Sequence, residues 1–347
     1  MTLIPAPEKI LVINLAFIGD VLLSTPMVRA LKENYPATSI DMLVVPLTKP
    51  IAEGNPYISE VLTYDKKGEH KKIGNLWSLV KTIRNRRYDL AICTNFAPRG
   101  AMLAMVAGIP RRIGYDAQNG KWFLTHAVSA KRQAVRHESE NYLDVLAPFK
   151  ISIKDTSLDF KIKNADIETM RDKIKKIFNQ DFASPIAVIC PLGSYSKKNW
   201  TTENYVRLIK KLTEKADCYL IGDKSQEKEL NIINERAGNL AVVLAEALSL
   251  GELTAFISVA NLLVSVDTGP MHIAEAVKTP LVALFGPTDP KCWGPRSNKS
   301  LVFTASLDCS PCWGKTACQN NRCMQELDEA AIIAATEAIL EGDRKGT

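Results

Sequence analysis

Asp20 follows a short apolar run, Lys9–Asn14, and a loop, Leu15–Gly19, and opens a helical pattern. A carboxylate there does one of two things. It caps the helix, worth about 1 kcal/mol, or it stands at a strand end as a general base. A second group, Asp267-Thr268-Gly269-Pro270-Met271-His272, closes the apolar run that begins at Leu262. Gly269 allows a tight turn, and Pro270 suits the first helical position, where its missing N–H is no loss. The free N–H groups beyond it, the Thr268 hydroxyl and the His272 ring make a compact anion site. A third group, Pro191-Leu192-Gly193-Ser194 with Ser196-Lys197-Lys198-Asn199-Trp200, follows the run Ile186–Cys190. Small, hydroxyl and lysine residues at a strand end suit a phosphate.

Four of the eight cysteines cluster as C-x2-C-x5-C-x4-C: Cys309, Cys312, Cys318 and Cys323. Free or redox-labile thiols are the expectation, with a structural zinc as the alternative. Gly314-Lys315-Thr316 looks like the end of a phosphate loop, but Cys309 stands where that motif needs its first glycine, and no strand precedes it. No G-x-G-x-x-G occurs, which argues against a nicotinamide dehydrogenase.

The elements that must hold these groups alternate. Predicted strands lie at 9–14, 39–45, 61–64 and 89–94, with helices at 20–33, 76–87, 100–107 and 137–149 between and after them. A charged stretch at 164–182 then thins the apolar residues. The pattern resumes with strands at 186–190, 218–221, 241–244, 262–267 and 281–285, with helices between them. Alternation of this kind builds parallel sheets covered on both faces. The reading is an α/β protein of two Rossmann-like domains, residues 1–165 and 184–325, closed by an amphipathic helix within 326–347. In such sheets ligands sit beyond the carboxyl ends of the strands.

The chain has 347 residues, 46% hydrophobic and 24% charged, which excludes a disordered chain or a small disulfide scaffold. No apolar stretch approaches the ~18 residues of a membrane span. No secretory signal is visible between Met1 and Lys9, so a cytoplasmic protein is expected. The charge is uneven. Residues 1–150 hold 20 Lys and Arg against 13 Asp and Glu, a net +7, while the remainder holds 24 against 25, a net −1. The clusters are Lys66-Lys67, Lys71-Lys72, Arg84/Arg86/Arg87, Arg111-Arg112 and Lys131-Arg132. A basic half points to an anionic partner.

Together these motifs resemble the ADP-heptose:lipopolysaccharide heptosyltransferases, glycosyltransferase family 9. The resemblance rests on ILVINLAFIGDVLLSTP (10–26), GIPRRIG (108–114), VDTGPMHIAEA (266–276) and PLVALFGPTDP (280–290), and covers nearly the whole chain. The loop at 191–200 is similar to the family's donor loop, which usually runs Lys-x-Trp-Pro; here Thr201 replaces the proline. The resemblance implies a GT-B fold, two domains facing across a cleft with the C-terminal helix crossing back to the first. It implies that Asp20 is the base that deprotonates the acceptor hydroxyl. Donor binding would fall to Gly193, Ser194, Lys198, Asp267, Thr268, Gly269 and His272, with Glu227 at the ribose. Arg99, Arg111 and Arg112 are the acceptor-side expectations, Arg99 the strongest. The implied reaction is inverting transfer of heptose from ADP-heptose to the lipopolysaccharide inner core. No cofactor or metal is required and no nucleic acid is involved. The lipid-anchored anionic acceptor implies peripheral contact with the cytoplasmic face of the inner membrane. Two alternatives stay open: transfer of another sugar to another glycolipid or glycan, and a two-lobed binding protein.

Overall fold

The computed structural model describes residues 6–129, 136–315, 318 and 320–343. The chain divides into two compact units, residues 1–161 and 162–347. Lys131 and Arg132 lie outside the described residues, as does Thr316.

The first unit is built on β1 (Lys9–Asn14), β2 (Ser39–Val44), β3 (Glu60–Thr63), β4 (Leu90–Cys93), β5 (Arg111–Tyr115) and β6 (His126–Val128). All neighbours are parallel, in the order β3-β2-β1-β4-β5-β6. The second unit repeats the design with β7 (Ile186–Cys190), β8 (Asp217–Gly222), β9 (Ala241–Ala245), β10 (Leu262–Val266), β11 (Leu281–Phe285) and β12 (Ser300–Thr304). Its order is β12-β11-β10-β7-β8-β9, again parallel throughout. Counted within each unit, both sheets run 3-2-1-4-5-6, the doubly wound order whose direction reverses between the first and fourth strands. The central strands β7, β10 and β11 are buried along their whole length, which is why they read as unbroken apolar runs.

Three strands escape the sequence reading: β5, which opens on two arginines; β6, three residues long; and β12, a half-exposed edge. The single helix expected over 20–33 is two, Ile18–Leu23 and Thr25–Asn34, broken at Ser24 ahead of Pro26.

The unit boundary also shifts. Residues 155–161 return to the first sheet's helices, where the Arg29 guanidinium donates to the Asp155 and Ser157 carbonyls at 3.0 and 2.7 Å and to Asp159 Oδ1 at 2.8 Å. The stretch expected to be a junction is instead the helix Asn164–Phe178, which belongs to the second unit. Lys173 on this helix pairs with Glu252 at 2.8 Å. The closing helix, Glu329–Asp343, falls within the second unit. Ile332 and Leu340 enter that unit's core, Lys215 reaches Glu341 at 2.7 Å and Glu337 at 3.2 Å, and Arg207 pairs with Glu329.

Candidate active site

The first-unit site forms where β1 and β4 part. Asn14, the last residue of β1, is fully buried and acts as the loop's template. Its amide donates to the Asp20 carbonyl at 3.1 Å and to Ser24 Oγ at 3.3 Å, and its Oδ1 accepts from the Ala16 N–H at 3.3 Å. From the end of β4, Asn95 Oδ1 accepts the Leu15 N–H at 2.6 Å. Asp20 is not the N-cap of its helix but the third residue in. Its Oδ2 accepts the Phe17 N–H at 3.2 Å, the backward half of a capping box. Its Oδ1 accepts a 2.7 Å hydrogen bond from Tyr142 Oη. The carboxylate is therefore oriented through both oxygens while staying partly exposed. A base held this way keeps lone pairs for a substrate hydroxyl.

Arg99 opens the helix Arg99–Val106 after β4 and is exposed at the carboxyl edge of the sheet, beside this loop. Arg111 and Arg112 correct the expectation. They begin β5, so they lie at the amino edge of the sheet, opposite the carboxyl end where ligands generally bind in sheets of this kind. Arg111 Nε donates to the Asp89 carbonyl at 3.1 Å and pairs with its carboxylate at 3.3 Å. Arg112 donates to the Phe123 and Ile109 carbonyls, both at 2.6 Å. Arg84 and Arg86 belong to the same edge: Arg84 donates to the Val106 carbonyl at 2.6 Å, and Arg86 pairs with Glu60 and, at 3.4 Å, Asp41. Arg84, Arg86, Arg111 and Arg112 are thus engaged in holding the fold, whereas Lys66, Lys67, Lys71 and Lys72 follow β3 at the carboxyl edge and are all exposed.

The second-unit site forms at the equivalent point, where β7 and β10 part. Lys198 Nζ pairs with Asp267 Oδ2 at 2.7 Å and donates to the Asp267 carbonyl at 3.0 Å. Both side chains are largely buried, so this is a tight pair joining the two strand ends. Gly193 makes room for it: a Cβ there would stand 2.8 Å from the Lys198 Cβ. The Gly193 N–H donates to Asn199 Oδ1 at 2.8 Å, folding the loop, and Lys198 Nζ sits 5.3 Å above the Tyr195 ring. Ser194 is exposed on that loop, and Glu227 is exposed at the start of the Glu227–Arg236 helix beyond β8. Thr201, where a proline was usual, caps the next helix by accepting the Asn204 N–H at 3.2 Å.

Thr268 precedes the helix Gly269–Val277, with Pro270 in its first turn. Its leading N–H groups collect positive potential beside Lys198, an anion site in the making. His272 is only 3% exposed and lies 6.4 Å, ring to ring, from Trp293. The structure sets it beneath this turn rather than on its surface.

The cysteine-rich segment buttresses the same edge. Ser310 Oγ donates to the Gly286 carbonyl at 2.5 Å, the Trp313 N–H to the Pro287 carbonyl at 2.7 Å, and Asn321 Nδ2 to the Asn199 carbonyl at 3.3 Å. None of the four cysteines is held in a disulfide: Cys309 is exposed, Cys312 and Cys318 are half-buried, and Cys323 is buried. Burial pushes the Cys323 thiol up, and the neighbouring Cys312, Cys318 and Cys309 add to it. Among the described residues no three His, Cys, Asp or Glu side chains converge to hold a metal ion, so the zinc alternative finds no assembled ligand set.

Glu275, one turn beyond His272, carries no sequence signal. It is buried, its Oε1 accepts the Arg296 N–H at 2.7 Å, and its Oε2 has no hydrogen-bond partner. Burial raises its carboxyl from 4.5 to about 7, outweighing the Arg296 N–H and guanidinium that lower it. Because the folded value is the higher one, stability is lost as pH rises from the unfolded value through the folded one. Glu275→Gln keeps an acceptor for Arg296 and cannot ionise. Compared with the wild type, the variant should gain on the order of 3 kcal/mol of stability between pH 4.5 and pH 8, read from denaturant unfolding. Parallel pH profiles would show that Glu275 does not titrate in this range.

The family model for glycosyltransferase family 9 (heptosyltransferase) matches residues 76–322. The chain belongs to that family. It is similar to lipopolysaccharide heptosyltransferase 3 of Escherichia coli K12, 30% identical, with 94% of this chain and 96% of that protein covered. Among solved structures it resembles the glycosyltransferase family 9 protein of Veillonella parvula DSM 2008 (TM-score 0.86, 24% identity, 96% and 98% covered). It also resembles E. coli ADP-heptose lps heptosyltransferase II (TM-score 0.80, 22% identity, 97% and 99% covered). Membership makes the chain a glycosyltransferase and sets the binding-protein alternative aside.

Proposed function

We propose that this family member moves heptose from ADP-heptose to the inner core of lipopolysaccharide and inverts the anomeric centre. The observation that carries the reading is the Lys198–Asp267 pair beside the N-terminus of the Gly269–Val277 helix. It offers a cation and the positive end of a helix at one strand-end turn, which is what a leaving diphosphate needs. As the sugar bond breaks, charge grows on ADP, and preorganised donors stabilise it without reorganising. Lys198 and the backbone at Gly269 meet the phosphates, Thr268 adds its hydroxyl, and His272 backs the turn from below. Ser194 and Glu227 serve the sugar or ribose hydroxyls.

Asp20 takes the proton of the attacking acceptor hydroxyl, and Tyr142 keeps its carboxylate aimed. A single carboxylate and direct attack give inversion. No step in this scheme calls on a metal ion. Arg99 serves the anionic acceptor. The relatives named for lipopolysaccharide support the acceptor class. Such an acceptor is lipid-borne, so the enzyme would work at the cytoplasmic face of the inner membrane. No helix among the described residues is long and apolar enough to cross one.

The test is a donor panel: ADP-heptose, ADP-glucose, UDP-glucose and GDP-mannose with a heptose-deficient lipopolysaccharide acceptor, product stereochemistry read by NMR. Transfer from ADP-heptose alone, inverted, is expected. Preference for another donor would make the chain a family member of different sugar specificity.

A further inference from the structure

We propose that the Ile73–Asn85 helix and the lysine turn before it form a docking face for an anionic lipid surface. The proposal rests on the reading that the acceptor is lipid-borne, but its evidence is separate from the two sites.

The four most exposed large apolar side chains described in the chain are Phe17 at 79%, Ile73 and Trp122 at 74%, and Leu47 at 62%. Each follows the carboxyl end of a first-unit strand: β1, β3, β5 and β2 respectively. They therefore share one edge of one sheet. Trp77, 56% exposed, lies four residues beyond Ile73 on the same helix, so the two form one stripe, and exposed Lys81 follows four residues later. The core face of this helix is carried separately by Leu79, Val80 and Ile83. Ile73 and Trp77 are thus surplus to folding.

The charge beside them is built rather than incidental. Asp65 accepts from the backbone N–H groups of Lys67, Gly68 and Glu69 at 3.2, 2.8 and 3.3 Å, bending the chain into a turn. Gly68 is required by it, since a Cβ there would stand 2.2 Å from Asp65 Oδ2. The turn displays Lys66, Lys67, Lys71 and Lys72, all exposed, directly ahead of Ile73.

An exposed tryptophan and isoleucine ringed by lysines match the bilayer interface, where indoles sit at headgroup depth and ammonium groups meet anionic lipids. A protein partner fits less well, because interface cores are depleted in lysine.

Flotation of the full chain tests this, with vesicles of phosphatidylglycerol and phosphatidylethanolamine against vesicles of phosphatidylcholine. The wild type should float with the anionic vesicles only. Ile73→Ser with Trp77→Ser should lower partitioning at least about tenfold, and Lys71→Glu with Lys72→Glu should lower it similarly and flatten its salt dependence. Tm and ADP affinity by calorimetry should stay unchanged in both variants. Absence of flotation by the wild type, equal flotation on neutral vesicles, or unchanged partitioning of the serine variant would overturn the proposal. So would an equal loss of turnover on a delipidated soluble acceptor, which would make these residues a saccharide site. A wild type that floats but transfers no heptose would overturn the proposed reaction and leave the docking face standing.

Discussion

Asp20→Asn should lower kcat by about 10²–10⁴-fold, the contribution of a positioned general base. The variant keeps an oxygen for Tyr142 or Phe17 and changes little in shape, so the loop from Asn14 to Ser24 should keep its form. ADP affinity should be unchanged, because the groups proposed to hold the nucleotide lie on another sheet. Tyr142→Phe supplies the matching control. It removes the 2.7 Å hydrogen bond to Oδ1 without touching the carboxylate. Tyr142 is a positioning residue, so its loss should cost less than Asp20→Asn and show in kcat more than in donor KM. The reading of Asp20 as base fails if Asp20→Asn retains full turnover and loses only the ~1 kcal/mol expected of a helix-terminus group.

Lys198→Ala should weaken ADP binding by roughly 10–100-fold, the worth of hydrogen bonds to charged groups. Two effects add here. The phosphates lose a cation, and the buried Asp267 carboxylate loses its partner at 2.7 Å and turns its charge toward the incoming anion. The second effect can be isolated. Asp267→Asn in the Lys198→Ala background removes the unpaired charge and should recover part of the affinity, so the two changes couple rather than add. His272→Ala, acting from beneath the turn, should weaken ADP less than Lys198→Ala. Unchanged ADP affinity by calorimetry in both single variants would place the diphosphate elsewhere.

What the sequence makes legible is what short-range spacing carries. The run Leu262–Asp267 followed by Gly269 and Pro270 announces a strand, a turn and a helix start within nine residues, and the structure has them there. The partners of Asp20 are not legible that way. Tyr142 lies 122 residues away, and Asn95, which pins the same loop, lies 80 residues from Leu15, so no window of sequence joins them. Glu275 reads as one more polar residue on a short helix until its burial is known. The arginines fail for a different reason. Clustered positive charge at 84–87 and 111–112 points to a ligand in composition, but it lies at the amino edge of the sheet, where Arg84, Arg86, Arg111 and Arg112 are taken up by backbone carbonyls, Glu60 and Asp89. β5 and β12 are missed because a strand on the flank of a sheet need not be apolar on both faces.

Both units follow the same 3-2-1-4-5-6 winding, and each places its functional turn where its own first and fourth strands diverge. The proposed base and the proposed diphosphate cradle are thus duplicates in position and strangers in chemistry, each supported by its own core. On that reading, changes that retool the turn after β1 need not disturb a grip on the nucleotide after β7 and β10. Acceptor preference and donor preference can therefore drift separately, and a lineage can keep one leaving group while sampling many saccharides to receive its sugar.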